Sequence, residues 1–250
     1  LNGSYVPAEQ AVVSVDDRGF LFADGIYEVI RVYRGRPFRL EEHLRRLADG
    51  VAALRIPFRD PAGLAGIADR LLEENGLRDG DAVLYIQVTR GAAPRAHAFP
   101  PADVPPTVFV SARPFTPYPA EHYERGVRAV TVPDTRWSRC DIKSVSLLPN
   151  VLANQRAKEA GAFEALFVRD GIVIEGSHSN LFGVFGGTLV TYPACNYILA
   201  GITRACVLEL AAELGIPARE GPIPFETLWE ADELFLSGTT TEDRKSTRLN

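Results

Sequence analysis

The chain has 250 residues, 46% of them hydrophobic and 24% charged, the balance of an ordinary globular protein long enough for one large core or two small ones. Its 27 basic and 32 acidic side chains give a formal net charge of −5, so no positive field calls for a nucleic-acid partner, and no apolar amphipathic stretch calls for a membrane. The cysteines, Cys140, Cys195 and Cys206, are odd in number and stand in no metal-ligand spacing, which predicts a reducing, cytoplasmic setting with neither a disulfide scaffold nor a bound metal.

Residues 1–7, LNGSYVP, hold no basic stretch followed by an apolar run, so no secretory leader is expected among them. Residues 11–15 are a short apolar strand candidate, and 26–33 a second that ends before the turn at Gly35. Leu40, Leu44, Leu47, Val51 and Leu54 then recur every three or four positions, one apolar stripe on a helix that Pro57 ends. Another helix is expected over about 61–75, with Leu64, Ile67, Leu71 and Leu72 inward. Residues 82–89 read as a buried strand, the proline-rich 91–106 as a loop, and 108–111 as the next strand.

The proline-rich run 114–119 reads as a linker. It divides a smaller domain, 1–114, from a larger one, 121–250, with 115–120 between them. In the second half, 127–132 is a strand and 150–160 has helix-compatible composition. Residues 165–168 and 172–174 flank an Asp170-Gly171 turn, and 181–185 and 188–191 flank Gly186-Gly187, two hairpin signals in succession. Residues 203–214 form a helix with Gly215 just past its end, and 234–236 are a last strand. The mixture predicts an α+β (mixed α/β) protein of two domains rather than a regular βαβ array. After Glu242 the sequence turns basic and polar, DRKSTRLN, which reads as a truncated or non-native end.

Three segments carry more than secondary structure: DIKSVSLLPNVLANQRAKEAG at 141–161, EGSHSNLF at 175–182 and LAGITR at 199–204. With FADGIYEV at 22–29 upstream, they resemble in this order the class IV pyridoxal-phosphate-dependent aminotransferases, over nearly the whole chain. Alone, Lys143 would read as a surface lysine, Glu175 as a solvated carboxylate and Thr203 as a helix cap. The resemblance makes Lys143 the residue that carries pyridoxal 5'-phosphate as a Schiff base and then moves protons, a task that suits a lysine amine once it is deprotonated. It makes Glu175 the carboxylate facing the pyridine nitrogen, where it strengthens the ring as an electron sink.

The same resemblance gives Ile202 and Thr203 phosphate contacts at a helix start, Leu199 a packing role against the ring, and Arg46, in EEHLRRL, the phosphate-binding guanidinium. Ser237 and Thr239, in LFLSGTTTE, match the terminal phosphate-side loop, although Gly238 alters the local pattern. It implies a two-domain fold with a smaller N-terminal domain, a larger cofactor domain, and a homodimer.

Within the family the segment RGAAPRAHAFP, 90–100, is most like the carboxylate-trap loop of D-amino-acid aminotransferases. Arg95 and His97 take the matching positions and would serve a neighbouring subunit's site, with Tyr27 from the cofactor's own subunit. Glu28 beside Tyr27 is a supporting residue. His178 departs from the pattern, since a small serine is common there; its ring could touch the cofactor, narrow the side-chain pocket or point outward.

The expected reaction is amino transfer from a D-amino acid to a 2-oxo acid. A branched-chain L-amino-acid or amine aminotransferase, a 4-amino-4-deoxychorismate lyase, and an inactive cofactor-binding or regulatory protein remain as alternatives.

Overall fold

A computed structural model describes residues 1–249 and separates the chain into two units. The first is Leu1–Thr116 together with Ile142–Ser146; the second is Pro117–Asp141 together with the chain from Leu147 onward.

The first unit opens with a single helical turn, α1 (Arg18–Phe22). Asp17 caps it, its side chain accepting the Gly19 amide, and Ala23 ends it in the left-handed region at φ 54°. There follow β1 (Gly25–Tyr33), β2 (Arg36–Pro37), α2 (Leu40–Ala53), α3 (Leu64–Glu74), β3 (Ala82–Thr89) and β4 (Thr107–Pro114). The strands form an antiparallel sheet in the order β2-β1-β3-β4.

Alternation sends Ile26, Ile30 and Val32 of β1, with Leu84, Ile86 and Val88 of β3, to one face. Leu44, Leu47 and Val51 of the predicted α2 stripe close over that face, with Leu64 and Leu72 of α3; on α3 Ala68 is buried between them, while Ile67 and Leu71, also expected inward, are half-buried. Each of the larger side chains contributes roughly 1.5–3 kcal/mol by leaving water.

Residues 11–15 do not form the expected strand. A 3-10 turn at Ala8–Gln10 precedes them, and Val12, Val13 and Val15 are exposed. Apolar composition favours a strand only where a neighbouring edge pairs with it, and the one bridge nearby is Asp17 to Ala92. Conversely, β4 outruns its apolar run because β3 offers a full register, from Ala82 opposite Pro114 to Thr89 opposite Thr107.

The second unit contains α4 (Ala120–Glu124), β5 (Val127–Pro133), α5 (Leu148–Glu159), β6 (Glu164–Arg169), β7 (Ile172–Gly176), β8 (Asn180–Phe185), β9 (Thr188–Thr191), α6 (Ile202–Glu213), β10 (Ala218–Glu220), β11 (Ile223–Pro224), β12 (Glu233–Gly238) and β13 (Glu242–Leu249). They form a nine-stranded sheet, β10-β9-β8-β12-β13-β5-β6-β7-β11. A further pairing of Glu175 on β7 with Asn180 on β8 closes its middle strands into a ring. Leu166, Val173, Leu181, Leu234 and Leu236 belong to one core cluster, whereas Ala165, Phe167 and Ile174 pack with Ala153 and Ala157 of α5. The polar residues after Glu242 take the place of β13, antiparallel to β12 and parallel to β5, since a strand flanked on both sides is held by backbone bonds that need no apolar period.

Gly91 begins the proline-rich loop at φ 91°, and a Cβ there would collide with the Pro105 carbonyl. Gly91→Ala is expected to cost about 2 kcal/mol or more through backbone strain, read as a lowered midpoint in thermal or urea unfolding.

Candidate active site

In the first unit the site is organised by a strand edge. β3 pairs with β1 along one side, and on the other the segment around Lys143 lies alongside its beginning. Ser144 bridges Ile26, the Tyr27 amide donates to the Lys143 carbonyl at 3.0 Å, and the Val145 amide donates to the Gly25 carbonyl at 3.0 Å. Lys143 is thereby fixed beside Tyr27, with Nζ 3.4 Å from the phenol oxygen and 4.4 Å from the ring centroid. Tyr85 stacks on Tyr27 with centroids 5.9 Å apart and donates to Gln87 at 2.6 Å.

Glu28 points the other way, onto the helix-covered face, and is fully buried. Arg46 of α2 grips it with two hydrogen bonds, Nε to Oε1 at 2.7 Å and Nη2 to Oε2 at 2.8 Å, and His43 Nδ1 lies 2.8 Å from Oε2. Burial, the strongest single influence, pushes the Glu28 carboxyl up. The charge and hydrogen bonds of Arg46, the His43 bond and the Lys143 charge outweigh it and bring the value down to about 2. Arg46, to which the resemblance gives the phosphate, is thus tied to the β1 carboxylate.

Arg95 and His97 are exposed, on a loop of the same unit. Phe22 of α1 lies beneath both: the Arg95 guanidinium is 5.1 Å from its centroid and the His97 ring 5.5 Å.

In the second unit Glu175 is the centre. Its register is shifted by a bulge in β7, where Val168 pairs with Val173 and Phe167 with Glu175, leaving Ile174 over. The bulge turns Glu175 to the Phe167 side, opposite to Val173. There its carboxylate accepts from Arg136, from the Asn180 amide at 3.1 Å and from the Leu199 backbone N–H at 3.2 Å.

Arg136 lies over Phe167 at 4.2 Å and is held by Asp134, which also accepts from Arg169. Burial dominates Glu175 and raises it to about 7, against the lowering pull of Arg136 and the Leu199 amide. In Asp134 burial is again the largest influence but loses to Arg136, and the net shift is downward.

Asn180 couples the remaining positions. Its side-chain amide donates to the Leu199 carbonyl at 3.0 Å, its strand pairs it with Ser237, and a Cβ on Gly201 would collide with its oxygen. Gly201 therefore sits tight against β8 at the start of α6, which has no side-chain cap. Leu199, Ile202 and Thr203 are half-buried around that start. Ser237 Oγ on β12 and Thr241 Oγ1 are buried with no hydrogen-bond partner among the described residues, and Thr239 lies in the turn that joins β12 to β13.

His178 turns its Nδ1 to the buried Glu164 carboxylate at 3.0 Å and its ring to Phe163 at 6.0 Å. Glu164 also accepts from the Ser177 amide and hydroxyl and from the Ser179 hydroxyl, so it pins the whole turn between β7 and β8.

Arg136, His43, Glu164 and Thr241 were not singled out from the sequence. His43 had a signal, three positions before Arg46 on one helix face. Arg136 had none, since it meets Glu175 only through long-range folding. Cys140 is buried against the Trp137 carbonyl at 3.2 Å, and burial pushes its thiol up to about 11.

The first unit thus sets a lysine on a strand edge beside a tyrosine, and the second sets a buried carboxylate braced by arginine and a helix start without a side-chain cap. The amino-transferase class IV profile matches residues 25–245, and the chain belongs to that family. It is a pyridoxal-phosphate-dependent aminotransferase, acting on small amino and keto substrates.

The chain is 41% identical to the D-alanine aminotransferase of Staphylococcus epidermidis over 251 residues, which cover 100% of this chain and 88% of that one. Its structure resembles the branched-chain amino acid aminotransferase of Escherichia coli, with TM-score 0.91 and 30% identity over 100% of this chain and 85% of that one. It also resembles the 4-amino-4-deoxychorismate lyase of Pseudomonas aeruginosa, with TM-score 0.84 and 34% identity over 98% and 89%. Among the described residues no helix is long and apolar enough to cross a membrane.

Glu28 ionises in the folded protein at about 2, below its ordinary value of 4.5. The stability it lends is complete above pH 4.5 and is lost as pH falls through about 2, an effect of about 3 kcal/mol. Glu28→Gln should therefore lower the urea midpoint clearly at pH 7 and much less at pH 3.

Proposed function

We propose that the chain transfers the amino group of a D-amino acid to a 2-oxo acid, as a cytoplasmic homodimer with shared sites. The observation that carries this reading is the 41% identity, over the whole chain, to a D-alanine aminotransferase. Supporting it, Arg95 and His97 lie exposed on one loop. The fold alone does not select the donor, because a branched-chain aminotransferase and a lyase share it.

The residues present fit pyridoxal phosphate. Glu175 offers a fully buried carboxylate braced by Arg136, and the start of α6 with the unpaired hydroxyls of Ser237 and Thr241 offers donors to an anion. Lys143 would hold the cofactor covalently. Leu199 would pack on its ring, and Ile202, Thr203, Ser237 and Thr239, with the Arg46 guanidinium that Glu28 orients, would hold its phosphate. Once bound, the cofactor supplies an electron sink that lowers the cost of breaking the Cα–H bond of the donor.

Freed when the donor's amino group takes its place, the Lys143 amine would remove the donor's α-proton and return it in the reverse half-reaction, with the Tyr27 hydroxyl 3.4 Å away to steer it. Glu175, whose carboxyl burial pushes up to about 7 in the protein alone, would face the ring nitrogen and favour its protonated form. Tyr27, with the neighbouring subunit's Arg95 and His97 equivalents, binds the substrate carboxylate and so chooses which face of the donor meets the lysine. Hydrolysis by one water would release the donor as a 2-oxo acid and leave its amino group behind, and a second 2-oxo acid would take up that group with release of a water. His178, turned to Glu164, supports the β7–β8 turn.

Three measurements test this. With D-alanine, D-aspartate, D-glutamate and L-leucine offered against 2-oxoglutarate or pyruvate, chiral product analysis should show D-donors consumed and L-leucine left; consumption of L-donors alone overturns the assignment. Glu175→Gln should retain Lys143-bound cofactor absorbance while kcat falls about 100-fold to 1,000-fold. Lys143→Ala mixed with Arg95→Ala should recover, at low D-alanine, activity well above that of either protein alone.

A further inference from the structure

The loop that carries Arg95 and His97 lacks the usual means of holding a shape. Among the described residues, the backbone of 94–99 makes no hydrogen bond to other backbone. The base of the loop is tied down: the Arg18 amide donates to the Gly91 carbonyl, the Arg90 amide to the Asp24 carbonyl and the Ala93 amide to the Asp16 carbonyl. Its tip is tied by one side chain. Arg18 Nη1 donates to the carbonyls of Ala96 at 2.6 Å and Ala98 at 3.3 Å, and Nη2 reaches the His97 carbonyl at 3.5 Å. These carbonyls follow Arg95 directly and flank His97, the two residues whose side chains contact Phe22.

Arg18 is itself rigid. It is 3% exposed, its Nε donates to Asp24 at 2.8 Å, and Asp24 is gripped from the other side by two bonds from Arg90. The Arg90 guanidinium in turn underlies Phe99 at 3.6 Å, at the far end of the tip. Phe22, on the same helical turn as Arg18, lies 4.8 Å from the Arg18 guanidinium and also contacts Arg95 and His97. The planar fork of a guanidinium can serve a carboxylate and several carbonyls at once in fixed directions, which an ammonium cannot do.

We propose that Arg18 and Phe22 are positioning residues for substrate selection. Arg18 fixes the backbone of the 95–98 tip through its carbonyls, and Phe22 is the platform that aims Arg95 and His97. The inference rests on the reading of Arg95 and His97 as the carboxylate-binding pair. It adds that the aim of that pair is set inside its own chain, by the turn just before β1, before any substrate arrives. Positioning of this kind governs how tightly and in which orientation the carboxylate is held, not the proton transfer at Lys143.

The test uses four cofactor-loaded proteins: wild type, Arg18→Lys, Phe22→Leu and Arg95→Ala. Arg18→Lys keeps a cation facing Asp24 and so preserves the fold, but removes the fork. Phe22→Leu leaves Arg18 untouched and decides the question by itself should the lysine variant fail to fold.

For each protein, KM and kcat with D-alanine, the D-to-L ratio of kcat/KM for alanine, the dissociation constant of the unreactive carboxylate propionate from the cofactor's absorbance, and the thermal midpoint are measured. Arg18→Lys and Phe22→Leu are expected to raise KM and the propionate constant about tenfold and to lower the D-to-L ratio, with kcat within about twofold of wild type. A shifted midpoint with unchanged KM, propionate constant and D-to-L ratio would make both residues merely structural and overturn the inference. If Arg95→Ala raises KM while the other two do not, the carboxylate reading stands and the inference falls. If Arg95→Ala leaves both KM and the propionate constant unchanged, the carboxylate reading falls, and the inference with it.

Discussion

The pairing of the Lys143 segment with the free edge of β1 is the constraint on which the rest depends. A lysine side chain has many rotamers, and a reactive amine at its end is useful only if the backbone beneath it does not move. Here the backbone is held by the bridge from Ser144 to Ile26 and by hydrogen bonds on either side of it. Ile142 is buried in the core of the first unit along with Ile26 and Ile30, so the same contacts that form that core hold the lysine in place. The edge would otherwise expose unpaired N–H and C=O groups; covering it protects the sheet and sets the amine beside Tyr27.

Within each unit, neighbouring cations give buried carboxylates different states. Glu28 has a guanidinium and an imidazole close on both oxygens and stays ionised far into acid. Asp134 lies between Arg136 and Arg169 and is also held low. Glu175 shares Arg136 with Asp134, and burial wins, leaving it near 7. The first two are braces. Glu175 is the one of the three that burial pushes up, which suits the ring-nitrogen role proposed for it.

Much of this was legible in the sequence, for a physical reason in each case. The stripes of α2 and α3, the two glycine-marked hairpins and the α6 start are local patterns, and they folded as their periodicity predicts. Lys143, Glu175 and Thr203 stood out in the sequence because the segments around them are distinctive. Residues 11–15 misled because apolar composition cannot reveal whether an edge is available. Arg136 and Glu164 were invisible because each acquires its task from partners brought near by the closed sheet, and nothing in PDTRWSRC or GAFEALF marks them. The structural role of Arg18 was hidden for the same reason: its targets are loop carbonyls, and backbone carbonyls leave no trace in the residue letters.

The bulge at Ile174 has a bearing on how this hairpin can vary through descent. Were all its residues kept in one regular ladder, Val173 and Glu175 would share a face, burying the carboxylate among leucines and parting it from Arg136 and Asn180. Deleting Ile174 would instead leave Glu175 opposite Phe167, on the face it holds now, and would remove only a side chain that packs with Ala153 and Ala157 of α5. What the hairpin must keep is therefore the pairing of its glutamate, not its length. A one-residue gap at the bulge in some related chain would be compatible with an intact carboxylate, whereas an unbulged hairpin of the same length would not.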